Sequence, residues 1–520
     1  MGKVRNENSA VDRQLQTSIL PGRHQSFPNN AHGARRSFDS ELATKPAWWK
    51  HRVGRWLVVR LFWLPVTPPL DFPMILPRLF WSFTLLGLLV SSSPAQSTIP
   101  GVAPAAAQNA LPAYRATVLA DSPDALYGIG ETVVFTLMVT HQGEPVAPLI
   151  VEWTLTKDGV APVRTGRVKL EQGRARISGK LDEPGFLQCR VVVELAGTKL
   201  TALGGAGVAP GEIKPSAPSP ADFSAFWRAK KQSLAAVPHR ARLTSVKSPR
   251  DGVETFDLQV DSLGAPVSGY FARPNKATPG SLPAILTVHG AGVRSAGLTT
   301  AVGWAREGLL ALDINAHGLP NGRDAAFYTD LAAGELKDYR KEGIESRDSV
   351  YFLGMFLRLV RAIDFLTAQP EWDGRTVIVY GSSQGGAQAI AAAGIDSRVS
   401  YFVAGVPALC DHTGGLASRI AGWPKFIATG QTPSADVVAA IKYYDAVNFA
   451  ALAKAPGFFT VGFIDTTCPP TSVYAAYNVL SASKEIFNDI TSGHTNTPVA
   501  SAAMRAAVLR HVASQRTSSQ

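Results

Sequence analysis

The pentad Gly381-Ser382-Ser383-Gln384-Gly385 stands between an apolar run, Thr376 to Tyr380, and a small-residue stretch with helical character. Strand, abrupt turn and helix in that order push the middle side chain out over the edge of a sheet, and the flanking glycines leave room for so tight a turn. A strand feeding directly into a packed helix belongs to layered architectures of sheet and helix. Ser383 becomes the candidate nucleophile.

The pattern around the pentad agrees. Ala221-Asp222-Phe223-Ser224-Ala225-Phe226-Trp227 opens an amphipathic helix, with Asp222 expected as its N-cap. Strand candidates follow at Glu254 to Val260, Val267 to Ala272, Ala284 to Val288, Leu309 to Ile314, Thr376 to Tyr380, Tyr401 to Val406, Phe458 to Ile464 and Lys484 to Asp489. Helix candidates are Ser349 to Ala368, Ala387 to Gly394, Ser472 to Ser481 and Ala502 to Ala513. A β-hairpin followed by alternating strands and helices predicts a mostly parallel sheet with helices on both faces. With the turn at Ser383, residues 221–515 read as an α/β-hydrolase domain.

Ahead of it, residues 113–208 carry short β-rich runs separated by Gly and Pro turns: Arg115 to Leu119, Thr132 to Thr140, Ile150 to Lys157, Gly166 to Leu170, Ala175 to Gly179, Gly185 to Glu194 and Lys199 to Ala202. That spacing predicts a small all-β, immunoglobulin-like sandwich. Trp153 is expected in its core rather than as a sugar-stacking platform. Residues 96–112, rich in Ala, Pro and Gln, and residues 209–220, rich in Pro, read as linkers. No internal repeat is evident.

The formal charge of +11 would suggest nucleic acid, but residues 1–73 contribute +6 and Arg78 one more. The remaining +4 is spread without a basic block, which excludes nucleic acid as a partner. Residues 74–95 combine a short basic start (Met74 to Arg78), an apolar run (Leu79 to Val90) and a small-residue site (Ser93-Pro94-Ala95), the pattern of a secretory signal peptide. The run is short for a membrane span, which needs about 20 residues, so no stable anchor is expected once the signal is cleaved. Translation is expected to start at Met74, with residues 1–73 a basic, unfolded or mis-called extension, and the product is secreted or periplasmic. Three cysteines are too few for a disulfide framework; Cys410 and Cys468 each follow a strand of one sheet and could pair, or be buried thiols like Cys189.

A serine hydroxyl needs an adjacent base, and imidazole has the suitable pKa. In this fold the partners follow in the order Ser, acid, His. Only His494 and His511 lie beyond both Ser383 and the strand carrying the best acid. His511 sits in a helical pattern beside Arg510, whereas His494, in Thr491-Ser492-Gly493-His494-Thr495, lies on a loop just after the last strand. Asp465 ends the apolar run Gly457 to Ile464, where an orienting acid belongs; Asp411 is the runner-up, and Asp396, Asp436, Asp445 and Asp489 read as surface or capping carboxylates. Negative charge developing on a carbonyl oxygen calls for fixed donors. The Gln384 N–H, at the start of the helix, is one candidate, and Ala291, in His289-Gly290-Ala291-Gly292, is the other. His289 precedes the serine and reads as structural. No metal or cofactor is called for.

On these residues, positions 218 to 515 resemble the acetyl xylan esterase and cephalosporin C deacetylase family, carbohydrate esterase family seven. The resemblance rests on Asp222 to Trp227, Val360-Arg361-Ala362-Ile363-Asp364-Phe365-Leu366, Tyr380 to Gly386, and above all Asp465-Thr466-Thr467-Cys468-Pro469-Pro470 with Tyr474-Ala475-Ala476-Tyr477-Asn478. It implies Ser383, Asp465 and His494 as the triad, Gln384 as an oxyanion donor, acetylated xylan or another acetylated carbohydrate as substrate, and a homo-oligomer, often a hexamer, which the sandwich could permit or obstruct. Two departures bear on substrate choice. The family usually has an aromatic residue where this chain has Ala291, so the aromatic wall of the acyl pocket is expected to be lost; and Asp313-Ile314-Asn315-Ala316-His317-Gly318 replaces an Arg-Gly pair. The rival readings are a serine peptidase of the prolyl oligopeptidase type, which usually carries a large propeller, and a non-catalytic polysaccharide-binding surface protein.

Overall fold

Consecutive burial of Thr376 to Val379 in β15 (Trp372–Ser382) shows how the large sheet is covered. Val377 and Val379 face one hydrophobic cluster and Ile378 the other. Because side chains alternate across a strand, each face must meet its own helical layer. The computed structural model describes residues 114–517 except 161, 196 and 429. The expected extension 1–73, signal 74–95 and linker 96–112 lie outside the described residues.

The amino-terminal strands are β1 (Tyr114–Ala120), β2 (Leu126–Tyr127), β3 (Val133–His141), β4 (Glu144–Pro145), β5 (Ile150–Lys157), β6 (Pro162–Lys169), β7 (Arg174–Gly179), β8 (Gly185–Leu195) and β9 (Thr198–Val208). They form a sheet β1-β3-β4 with β7 also on β3, and a second sheet β2-β9-β8-β5-β6. The inward positions Phe135, Leu137, Leu155, Leu187 and Val191 build a core between them. Trp153 is part of it: its ring lies where a Cβ on Gly166 would be, 2.4 Å away, so it is core and no platform for a sugar.

Beyond α1 (Phe223–Ala235) come β10 (Ala241–Ser245), β11 (Val253–Val260), β12 (Val267–Pro274), β13 (Leu282–Val288), α2 (Leu298–Ala305), β14 (Leu310–Ile314), α3 (Ala325–Ala333) and α4 (Phe352–Thr367). After β15 follow α5 (Gln384–Ile395), β16 (Tyr401–Gly405), α6 (Ala435–Ile441), α7 (Ala446–Leu452), β17 (Gly457–Gly462), α8 (Pro470–Val479), β18 (Lys484–Asp489) and α9 (Pro498–Thr517). The nine strands order as β10-β11-β12-β14-β13-β15-β16-β17-β18, antiparallel as far as β14 and parallel from there. Residues of α2 and α9 cover one face; α1, α4, α5, α7 and α8 cover the other. This is the α/β-hydrolase arrangement, and the chain crosses from β14 over β13 to β15, so β13 and β15 end together at the switch point where such sheets bind ligands.

Two local expectations differ. The sheet begins with three antiparallel strands rather than a hairpin, because the exposed edge strand β10 has no apolar alternation to betray it. Asp222 stands at the N-cap of α1 without capping it; its carboxylate accepts from Arg347 (2.7 Å) and from the Tyr443 hydroxyl instead. A charged partner outcompetes the helix's own amides for the carboxylate.

Candidate active site

Ser383 joins β15 to α5 with φ 58° and ψ −122°, a conformation costing a non-glycine residue on the order of 1–3 kcal/mol. Surrounding bonds hold it there: the Ser383 N–H donates to the Gly405 carbonyl (2.8 Å), and its own carbonyl accepts from Ala408 (3.0 Å) and Ala387 (3.1 Å). The two glycines of the pentad are sterically demanded. A Cβ on Gly381 would lie 2.4 Å from the Gly385 carbonyl, and one on Gly385 would lie 2.2 Å from the Val288 oxygen at the end of β13.

His494 and Asp465 converge on the serine. Nε2 of His494 is 2.8 Å from Ser383 Oγ, and Nδ1 is 2.7 Å from Asp465 Oδ2. A carboxylate can only accept, so Nδ1 carries the proton and Nε2 is left to accept from the serine hydroxyl. Asp465 is fully buried, and its other oxygen accepts the N–H groups of Thr467 (2.7 Å) and Cys468 (2.9 Å). The acid turn and the histidine loop are tied together by the Ile464 N–H on the Ser492 carbonyl (3.2 Å).

The loop after β13 runs against the nucleophile: a Cβ on Gly290 would sit 3.4 Å from Ser383 Cβ. Ala291 and Ser383 line one cleft of about 360 Å³, and the Gln384 N–H heads α5 beside them. Among the described residues the Gln384 and Ala291 N–H groups bond no other protein group. His289 shapes this loop: its Nε2 accepts from the Ala316 N–H (3.2 Å), leaving Nδ1 to donate to the Gly290 carbonyl (2.6 Å). Burial, helped by Arg294, holds it neutral, its pKa lowered to about 3. His317 is a second brace. Its ring meets the Gly292 carbonyl (3.3 Å) and the Tyr351 hydroxyl (2.7 Å), and burial lowers its pKa to about 4.

Residues that the sequence pattern did not single out complete the cleft. Trp423, from the long segment between β16 and α6, lines it together with Val406. Position 291 carries no aromatic ring, as expected, but the cleft is not without one: the Trp423 indole, from a loop distant in sequence, lines it. Asn496 donates to Ser382 Oγ (2.9 Å) and accepts from Thr460 Oγ1 (2.5 Å), which in turn accepts the Val406 N–H (2.9 Å). This relay fastens the histidine loop to the serine turn. Its one visible signal was Asn496 two residues beyond His494.

The rejected candidates are occupied elsewhere. His511 stacks on Tyr401 (4.6 Å between centroids) and approaches Ser400. Asp411 is buried against Arg419 (2.8 Å) and accepts the Ser216 N–H. Asp445 accepts the amides of Asp411, His412 and Val447; burial and the neighbouring Asp411 raise its pKa to about 7. Cys189, Cys410 and Cys468 are buried free thiols, so Cys410 and Cys468 do not pair. Among the described residues, Asp465, Cys468 and His494 place ligand atoms within 4.8 Å of one another, but two of these atoms already share the proton between acid and imidazole.

Residues 211–508 match the family model described as acetyl xylan esterase. An acetyl esterase, Axe7A, of Xylanibacter ruminicola is 33% identical over 368 residues, covering 70% of this chain and 82% of its own. Among solved structures, an acetyl xylan esterase from Paenibacillus sp. R4 superposes with a TM-score of 0.51 at 27% identity, covering 58% of this chain and 98% of that one. Acetyl xylan esterase 1 from Thermoanaerobacterium sp. shares the fold, with a TM-score of 0.50 at 24% identity over 57% of this chain and 96% of that one.

Proposed function

The chain belongs to the acetyl xylan esterase family and is a carboxylic-ester hydrolase, and from that premise we propose that it removes acetyl groups from acetylated xylan or xylo-oligosaccharides through an acetyl-enzyme on Ser383. Ser383 Oγ attacks the acetyl carbonyl as its proton passes to His494 Nε2. Asp465 stabilises the imidazolium through Nδ1–H without itself taking the proton. The negative charge on the former carbonyl oxygen is met by the N–H groups of Gln384 and Ala291, each such donor being worth roughly a factor of 100 to 1,000 in rate. Collapse breaks the ester bond, and the sugar oxygen leaves with the proton from Nε2. Water then attacks the acetyl-enzyme by the same route, releasing acetate and restoring the serine.

The observation that carries this reading is the unbroken line Ser383 Oγ, His494, Asp465, with both links under 3 Å and the acid fully buried. Val406 and Trp423 bound the cleft with apolar surface suited to a small acyl methyl. The proposal extends to export, supported by the basic start, apolar run and small-residue site of residues 74–95. Among the described residues no helix is long and apolar enough to cross a membrane.

The purified protein is expected to release acetate from acetylated xylan, and Ser383→Ala to abolish that release. Hydrolysis of a chromogenic acetate ester without release from xylan would keep the chemistry and reject the substrate. Silence on both would sink the proposal.

A further inference from the structure

A triad works only while its acid is held to within a few tenths of an ångström, and Asp465 hangs on a turn three residues past the end of β17. Its own domain braces one side of that turn, through Phe463 N–H to the Asp489 carbonyl (3.0 Å) and Ile464 N–H to the Ser492 carbonyl. The other side is braced by the sandwich.

Gly205 in β9 lies directly on the Phe463 backbone: a Cβ there would stand 2.4 Å from the Phe463 oxygen and 2.9 Å from its carbonyl carbon. Phe186 in β8 is fully buried and groups with the core of the large sheet rather than with the sandwich's own. Its ring meets Phe463 edge-on (5.0 Å, 82°) and lies 5.6 Å from Tyr474. Asp158, just past β5 and 4% exposed, accepts from the Phe186 N–H (2.7 Å) and from the Thr471 hydroxyl in α8. Phe463 and Thr471 flank the acid turn, so the sandwich grips it before and after Asp465. The family match begins at residue 211, so Asp158, Phe186 and Gly205, which make this grip, lie ahead of it.

We propose that the sandwich is a positioning element of the catalytic centre: Gly205, Phe186 and Asp158 hold the acid turn, and through it the imidazole of His494. The inference rests on the reading of Ser383, His494 and Asp465 as a working triad.

Gly205→Ala in the full chain tests it, since this glycine has no left-handed φ and alanine adds only the clash with Phe463. On a chromogenic acetate ester, kcat is expected to fall on the order of 10- to 100-fold, the scale of a sub-ångström misplacement, with KM within about twofold. The downfield proton resonance of the His494 Nδ1–H···Asp465 bond should shift or vanish. Gly166→Ala is the control. It collides with Trp153 inside the sandwich and should lower the melting temperature while leaving kcat and the resonance unchanged. Should Gly205→Ala fail to fold, Thr471→Val, which deletes only the hydroxyl on Asp158, should shift the same resonance and lower kcat several-fold, as loss of one orienting contact does. Wild-type kcat and resonance in a folded Gly205→Ala or Thr471→Val, or an equal loss in Gly166→Ala, would overturn the proposal. Asp465→Asn separates the two readings: if it is crippled while Gly205→Ala is not, only the positioning role falls, and if it is fully active the triad itself is wrong.

Discussion

Asp465→Asn is the sharpest perturbation of this site, because the surroundings dictate how the amide must turn. In the native turn one carboxylate oxygen accepts two backbone N–H groups, from Thr467 and Cys468, and the other faces His494 Nδ1 at 2.7 Å. An asparagine must keep its carbonyl oxygen on the two amides, since its NH₂ group there would meet two donors head-on. The NH₂ then points at Nδ1, which must give up its proton. The proton moves to Nε2, which faces Ser383 Oγ at 2.8 Å and can no longer accept. Side-chain positions are preserved while the base is in the wrong tautomer, a change that lowers kcat by about 10⁴, or roughly 5.4 kcal/mol of transition-state stabilisation. Initial rates on a chromogenic acetate ester should show that drop, with a melting temperature within a few degrees of wild type. Asp465→Ala makes the contrast: it orphans two buried amides, costing about 1–3 kcal/mol each in stability as well as the activity. A folded Asp465→Asn within tenfold of wild-type kcat would refute the assignment of the acid.

Other consequences can be measured directly. Trp423→Ala should open the acyl side of the cleft, raising the rate on butyrate relative to acetate esters by about tenfold or more, the scale of one or two methylenes in an apolar pocket; an unchanged ratio would show that the indole does not bound the acyl group. Gly385→Ala drives a methyl to 2.2 Å from the Val288 oxygen and should destabilise the fold by about 1–3 kcal/mol or more in urea titrations. His412 is fully buried against Phe426, and burial lowers its pKa from 6.5 to about 3. Its folded value is depressed, so the unfolded chain takes up the proton first. The neutral ring's contribution is intact above pH 6.5 and is lost as pH falls toward 3, about 1.4 kcal/mol per pH unit. His412→Leu should therefore reduce the stability lost between pH 7 and 5 by about 2 kcal/mol, and an identical pH dependence in the variant would refute the buried-neutral assignment.

What could be read along the chain was what short segments encode by themselves. The Gly381 to Gly385 turn, the short continuous apolar runs of β13, β15 and β16, and a histidine on a loop just past β18 are local patterns, because backbone sterics and burial on both faces of a parallel strand are written over a few residues. The chain order Ser383, Asp465, His494 followed from the partner order of this fold, whereas the strand order, with β14 placed between β12 and β13, came only from the packed sheet. The short helices α2, α3, α6 and α7 leave no readable signal in the sequence, their few turns too brief to show a period.

Tertiary structure alone decided the contacts between segments remote in sequence. Asp222 bonds Arg347 rather than its own helix; Trp423 supplies the aromatic surface that Ala291 lacks; Asn496 links Thr460 to Ser382; and Phe186 of the sandwich fills the core under the acid turn. None of these has a sequence period or spacing, since each depends on which surfaces the packed sheet brings within a few ångströms. The amino-acid order determined the chemistry available at Ser383, and packing determined the walls around it and the grip of a second domain on its acid.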